Sequence, residues 1–153
     1  MSYLKKELGE NYKNLDKVLE PYLSALDDLD INLAIKGKLL EHSNREQASW
    51  LSYYDQRRIE LSTLVRFFEQ EVKRIRGILF KQFVESYPRD LSDRQIDKYI
   101  DSEQAYLDIN EKYLAIKEVY DQFTGAVDAF IQRGYALRNI TNIRVNNLED
   151  VII

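Results

Sequence analysis

The chain has 153 residues, of which 31% are charged and 44% apolar, the usual balance of a globular domain. It has no cysteine, which excludes disulfides, thiolate metal sites and a cysteine nucleophile. No apolar run reaches the roughly 18 residues of a membrane span, so no membrane partner is expected. Only 5 glycines and 2 prolines interrupt the sequence, which favours long helices and an all-α fold.

The net charge of -4 hides an uneven distribution. Residues 57–81 carry 7 basic and 3 acidic side chains, whereas residues 1–56 and 82–153 are both net acidic. Because local potential decides where a polyanion binds, the basic segment remains a candidate nucleic-acid site.

Taken in chain order, the first predicted helix runs roughly from Tyr3 to Leu29, with a kink or a new start at Pro21. A short helix is expected over Leu33 to Glu41. We divide the chain into an N-terminal extension (1–30), a central segment with the basic helix (31–90) and a C-terminal long helix (91–153). The first predicted helix has an apolar stripe at Leu8, Tyr12, Leu15, Leu19, Tyr22, Leu26 and Leu29.

A third helix is predicted from the capping-box pattern of Ser43 and Glu46 to about Phe83, interrupted only by Gly77. The Tyr87-Pro88 pair ends it, because a residue before proline avoids the helical region. Its apolar stripe is Leu61, Val65, Phe68, Val72, Ile75 and Leu79.

The fourth helix is predicted from Ser92, with Gln95 as capping partner and a second start at Ser102, to about Asn146. Its apolar positions alternate three and four residues apart, which predicts coiled-coil-like packing. Leu107, Leu114, Ala126, Ile131 and Ile140 widen this face. We call the alternating positions the C-terminal stripe: Tyr106, Ile109, Tyr113, Ile116, Tyr120, Phe123, Val127, Phe130, Gly134 and Leu137.

Two arrangements fit so long a stripe: an intramolecular helical bundle, or a homo-oligomer with the C-terminal helices packed side by side. In the second case the candidate contacts are Tyr120, Phe123, Val127, Phe130, Gly134 and Leu137. Glycine in a helix costs about 1 kcal/mol. Gly134 therefore indicates either close approach of a neighbouring subunit or a local bend. The end of the chain, Leu148–Ile153, is a docking tail or a frayed terminus.

Catalytic chemistry is not expected. His42 is the single histidine, no serine has a visible base, and no glycine-rich phosphate loop is present. Without cysteine or a histidine cluster no metal site is expected either, nor any cofactor.

The basic segment forms one side of the third helix. At 100° per residue Arg58, Arg66, Lys73 and Arg76 fall within roughly one quadrant. Arg74 and Lys81 lie beside them, opposite the apolar stripe. Arginine and lysine would follow phosphates, and Phe67 and Phe80 near the borders would stack on bases. The alternative is a solvated face with pairs such as Glu69 and Lys73.

The stretch Phe123–Ile140 resembles the C-terminal signature of the UvsY family of recombination mediators from T-even-like bacteriophages. The matching pattern is Gly-Ala-apolar-Asp-Ala, then Arg-Gly-aromatic, then apolar-basic-x-Ile. Tyr99–Leu107 and Trp50-Leu51 are also similar, so the resemblance spans Leu33–Ile140. The sequence departs from the family at Leu79–Phe83, where a Tyr-Tyr-x-Gly motif is usual.

The resemblance implies a ring of six or seven subunits that binds single-stranded DNA and has no enzymatic activity. It implies contacts with the phage single-strand-binding protein and the RecA-like recombinase UvsX, in the cytoplasm of the infected host. Members help the recombinase to replace the single-strand-binding protein. A Lys-x-Arg element of the family corresponds in spacing to Arg74-Ile75-Arg76, with Lys73 beside it. The alternative function is a coiled-coil adaptor that binds only proteins.

Overall fold

A computed structural model describes residues 6–146. A 3-10 turn, Glu10–Tyr12, precedes helices α1 (Leu15–Asp27), α2 (Leu29–Leu33), α3 (Leu40–Ser86), α4 (Asp93–Ile100) and α5 (Gln104–Val145). The fold class is confirmed as all-α, because no strand occurs in the part of the chain that the structure describes. The expectation for the tail Leu148–Ile153 concerns residues outside that part.

The residues cluster into two compact units, each made from separated stretches of sequence. The first unit combines the chain up to Leu15 with Glu60–Tyr120. The second unit combines Asp16–Ile59 with the chain from Asp121 onward. The long helices α3 and α5 therefore each supply residues to both cores.

The core of the first unit is formed by the apolar side of α3, which packs as its spacing predicts. Leu61 and Phe68 are fully buried, and Leu79 is nearly so. At the end of the unit Leu79 packs with Ile96 and Ile100 of α4. Burying this stripe leaves the opposite side of α3 exposed.

The core of the second unit centres on Tyr54 of α3. Its ring stacks on Phe130 at 4.9 Å between centroids and lies 5.8 Å from Phe123. Its hydroxyl donates to the Ala25 carbonyl oxygen at 2.8 Å and accepts from Asn32 Nδ2 at 3.2 Å. This buried hydroxyl is thereby satisfied within the hydrophobic core.

The C-terminal stripe is covered by residues of the same chain. Of the candidate oligomerisation residues, Phe123, Val127, Phe130 and Leu137 are buried, while Tyr120 and Gly134 are partly buried. Phe123 contacts Tyr22 edge-on at 6.0 Å. Within residues 6–146 these four side chains are core, so they are not free to contact a second subunit. The exposed apolar side chains of this part of α5 are Ile131, Tyr135, Ile143 and Val145.

Two helix predictions near the N-terminus are wrong. A continuous helix from Tyr3 is excluded by left-handed backbone at Gly9, Asn11 and Tyr12. At Pro21 a new helix start is excluded, because the proline lies inside α1, and the alternative of a kink stays a prediction. The predicted helix Leu33–Glu41 is replaced by the short α2 and a turn.

The start of α3 also differs from the prediction. The helix begins at Leu40, so Ser43 is an interior residue with a buried side chain and does not cap the helix. Glu46 instead binds basic side chains. The predicted end is confirmed, since α3 stops at Ser86, just before Tyr87-Pro88.

The predicted cap at Ser92 is confirmed. The backbone N–H of Ser92 donates to Gln95 Oε1 at 3.0 Å, which satisfies an N–H that the first turn leaves unpaired. The predicted restart at Ser102 is close, because α4 ends at Ile100 and α5 begins at Gln104.

A buried arginine, Arg133, links three parts of the second unit. Its guanidinium pairs with Glu46 at 3.0 Å and donates to Gln47 Oε1 at 2.6 Å. It also donates to the carbonyl oxygens of Leu33 and Ser43, at 3.1 and 3.3 Å. Only 2% of the Arg133 side chain is exposed. Arg133 is therefore a structural residue of this unit.

Glu46 is the acidic partner in this network. It also accepts from Lys38 Nζ and lies near His42 Nε2, each at 3.2 Å. Burial alone would raise the pKa of Glu46. Hydrogen bonding and attraction to Lys38 outweigh burial and hold that pKa below its usual value. Glu46 is therefore charged at neutral pH.

The glycine at position 134 is explained by Gln47. A Cβ at Gly134 would lie 3.1 Å from Gln47 Nε2, and that amide donates to the Phe130 carbonyl oxygen at 2.5 Å. The residue that approaches Gly134 closely is therefore Gln47 of the same chain, and not a residue of a neighbouring subunit. The alternative of a local bend at which the helix ends early is wrong, because α5 continues to Val145.

Two alanine substitutions test this explanation. Gly125→Ala adds a Cβ with no atom within 4 Å. It should raise the free energy of unfolding by about 0.5–1 kcal/mol, since alanine favours helix. Gly134→Ala should lower it by about 1 kcal/mol, because the cost of crowding Gln47 exceeds the gain in helix preference. Urea denaturation measures both, and equal stabilisation by the two changes would contradict the role given to Gln47.

Candidate nucleic-acid interface

The exposed side of α3 in the first unit carries Arg66, Lys73 and Lys81. A helix turns 100° per residue, which places these three within roughly 80° of one another, on the side away from Phe68. They span about 22 Å along the helix. Gln70 and Gly77 lie between them, and a Cβ at Gly77 would meet no atom within 4 Å. We call Arg66, Lys73 and Lys81 the basic face.

The residues of the basic face differ in their ion pairs. Lys73 Nζ lies 3.3 Å from Glu69 and Lys81 Nζ lies 3.7 Å from Glu85. All four of these side chains are about half or more exposed, so each pair contributes little. Arg66 makes only long contacts to Ser62 and pairs with no carboxylate of residues 6–146.

Arg74 makes more hydrogen bonds to a carboxylate than any residue of the basic face does. Its Nη2 donates to Glu71 Oε2 at 2.9 Å, and its Nε contacts both carboxylate oxygens at 3.2 Å. The Tyr12 hydroxyl donates to the same Oε2 at 2.8 Å. Hydrogen bonding to Glu71 raises the pKa of Arg74 above its usual value. The residue remains exposed at the edge of the face.

Arg76 has a structural role that the sequence pattern does not indicate. Its guanidinium binds Asp97 at 3.1 Å and Asp101 at 2.8 Å, and it lies 4.9 Å from the Tyr106 ring centroid. These contacts join α3 to the end of α4. Hydrogen bonding to Asp101 raises the pKa of Arg76 despite its partial burial. A phosphate would have to compete with two carboxylates here, and a DNA contact by Arg76 stays a prediction.

Arg58 belongs to the second unit. Its Nε and Nη2 donate to Asp55 Oδ1 at 2.9 and 2.6 Å. The neighbouring Arg57 lies over the Tyr53 ring, 3.4 Å from its centroid. Because both arginines belong to the other unit, we describe them separately from the basic face.

The expected stacking role is corrected for Phe67. Phe67 is buried and contacts Tyr12 and Phe68 edge-on, at 5.7 and 5.3 Å. Phe80 packs against the cluster of Leu79, Ile96 and Ile100. The enclosed ring of Phe67 does not present a face to a base, whereas Phe80 is only partly buried and its stacking role stays a prediction.

Other kinds of site have no counterpart in residues 6–146. His, Asp and Glu side chains do not gather in groups of three or more that could hold a metal ion. His42 is exposed on the first turn of α3 beside Glu46. No helix of this part combines the length and apolar character needed to cross a bilayer.

Comparison with known proteins identifies no relative: no family model, curated protein or solved structure matches the chain.

Proposed function

We propose that this protein is a non-enzymatic, single-stranded-DNA-binding recombination mediator of the UvsY type. The observation that carries the proposal is the basic face, an exposed line of cations opposite a buried stripe. The surface ion pairs of this face are weak. A DNA phosphate can therefore replace the carboxylate that is paired with a lysine at little cost in free energy. Binding of single strands without sequence preference usually depends on protein cations that contact the phosphate backbone and displace the counterions of the nucleic acid.

The proposal includes self-assembly into a ring. One short basic face binds a polyanion weakly, whereas repeated faces act together at high effective concentration. We assign the subunit contact to the exposed side of α5 around Ile131 and Tyr135, whose exposed fractions are 39% and 50%. The proposed partners remain a RecA-like recombinase and a single-strand-binding protein, in the cytoplasm of an infected bacterium.

A protein-binding adaptor is the second candidate. Ion pairing favours this candidate, because a cation that is paired with a carboxylate attracts phosphates less. The paired residues are Arg58, Lys73, Arg74, Arg76 and Lys81. This candidate shares the apolar side chains of α5 as its docking surface. It differs in predicting no affinity for oligonucleotides.

Neutralising the basic face separates the two candidates. Changing Arg66, Lys73 and Lys81 together to Gln removes three phosphate contacts. This should lower affinity for a labelled oligonucleotide at least tenfold at low salt and reduce the salt slope by about 2. Fluorescence anisotropy over a salt titration measures both quantities.

The control removes the same charge from exposed positions elsewhere, by Lys17→Gln, Lys36→Gln and Arg45→Gln. It should retain most of the affinity, because these positions lie outside the basic face. Equal losses in the two variants would reject the face as the site. No binding by the unaltered protein would reject the mediator and favour the adaptor.

A further inference from the structure

A cleft of about 400 Å³ opens in the first unit beside Arg74. Its walls come from α3, from α5 and from the turn that holds Tyr12. Apolar and charged side chains both face it, as in sites that take an amphipathic ligand. Its lining includes Tyr12, Arg74, Ile75, Asp108, Ile109 and Lys112.

Two cations border the cleft from different helices. Arg74 uses Nε and Nη2 for Glu71, which leaves its Nη1 as a donor for another acceptor. Lys112 reaches only the Asp108 carbonyl oxygen, at 3.5 Å, and forms no ion pair with residues 6–146. The Asp108 carboxylate accepts instead from Gln104 Nε2 at 2.6 Å. The cleft thus has a cation on each side, and the carboxylates of Glu71 and Asp108 also line it.

Tyr12 occupies an unusual position at this cleft. Its φ of 58° and the φ of 53° at Asn11 are left-handed, a conformation that costs energy for a bulky side chain. The bond to Glu71 and edge contacts with Phe67 and Phe68 hold it there. Burial and then Glu71 raise the pKa of Tyr12 to about 12, so the phenol remains a donor. Strained residues held in this way are typical of ligand-binding sites.

We propose that the cleft is a nucleotide subsite for the single strand, an inference that depends on the proposed DNA binding. One unstacked base enters against Tyr12, Ile75 and Ile109. The phosphate beside it lies between Arg74 and Lys112. Arg74 borders both the cleft and the basic face, so the strand can continue from one to the other. The subsite adds to the interface an aromatic ring and a cation from α5, whereas the basic face lies wholly on α3.

Photo-crosslinking of an oligonucleotide that contains 5-iodouracil tests the subsite. Irradiation of the complex should attach the base to Tyr12, and digestion with trypsin should place the adduct in the peptide Glu7–Lys13. Tyr12 is the one aromatic residue of that peptide. Lys112→Gln should lower affinity about three- to tenfold and reduce the yield of this adduct. The matched control Lys98→Gln, on α4 and outside the cleft, should change neither.

The outcomes separate this inference from the proposed function. Normal binding with adducts only outside Glu7–Lys13, or unchanged affinity in Lys112→Gln, would overturn the subsite and leave the basic face standing. Failure of the unaltered protein to bind the oligonucleotide would overturn both.

Discussion

Replacing Arg133 by Met is expected to lower the free energy of unfolding by about 3–5 kcal/mol. Methionine fills a similar space but donates no hydrogen bond. The carbonyl oxygens of Leu33 and Ser43 and the amide oxygen of Gln47 would lose their donor, and Glu46 would lose its most buried partner. Urea denaturation followed by circular dichroism measures the loss.

The control for this change is Arg138→Met on the same helix. Arg138 is exposed and lies 5.7 Å from the Tyr135 ring centroid. Its replacement should alter the free energy of unfolding by about 0.5 kcal/mol or less. A loss below about 1 kcal/mol for Arg133→Met would contradict the linking role of the buried guanidinium.

The second large effect is expected from Phe130→Ala. The Phe130 side chain is fully buried and stacks on Tyr54. Its removal should lower the free energy of unfolding by about 3–5 kcal/mol, through lost burial and the cavity that remains. Were Phe130 a contact between subunits, the change would mainly reduce the oligomer mass and leave the stability of the subunit close to its original value.

Tyr135→Ala is the matched substitution on the exposed side of α5. It should leave the free energy of unfolding within about 0.5 kcal/mol. Under the proposed assembly it should also shift the mass measured by light scattering toward the single subunit. A large loss of stability from Tyr135→Ala, or a monomeric protein before any change, would contradict the proposed subunit contact.

Local signals in the sequence predicted local structure well. Ser92 and Gln95 form their cap because both partners lie within one turn, and α3 ends before Pro88 for equally local reasons. The Ser43 and Glu46 pattern has the same spacing but failed. Its carboxylate is engaged by Arg133, 87 residues away, and by Lys38 in the preceding turn. A capping pattern cannot predict such distant competition.

The apolar stripes were predicted correctly as the inward sides of the helices, since each position is buried or partly buried. The residues that cover the stripes were not predicted. Spacing shows that Phe123 and Phe130 face inward. It does not show that Tyr22 and Tyr54 of the same chain supply the covering surface. Likewise, a helical wheel places Arg76 near the basic face. It does not show the partners of Arg76, Asp97 and Asp101, which lie 21 and 25 residues further along the chain. Those contacts depend on the turn between α3 and α4, which no periodicity encodes.

Trp50, the single tryptophan, lies on α3 within the second unit, 5.7 Å from the Tyr53 ring. Its fluorescence therefore follows the melting of one core only, while ellipticity follows helices of both. If the two signals change together during denaturation, the cores unfold as one cooperative system. If the emission changes first or last, each half has its own stability, and one half could open while the other stays folded.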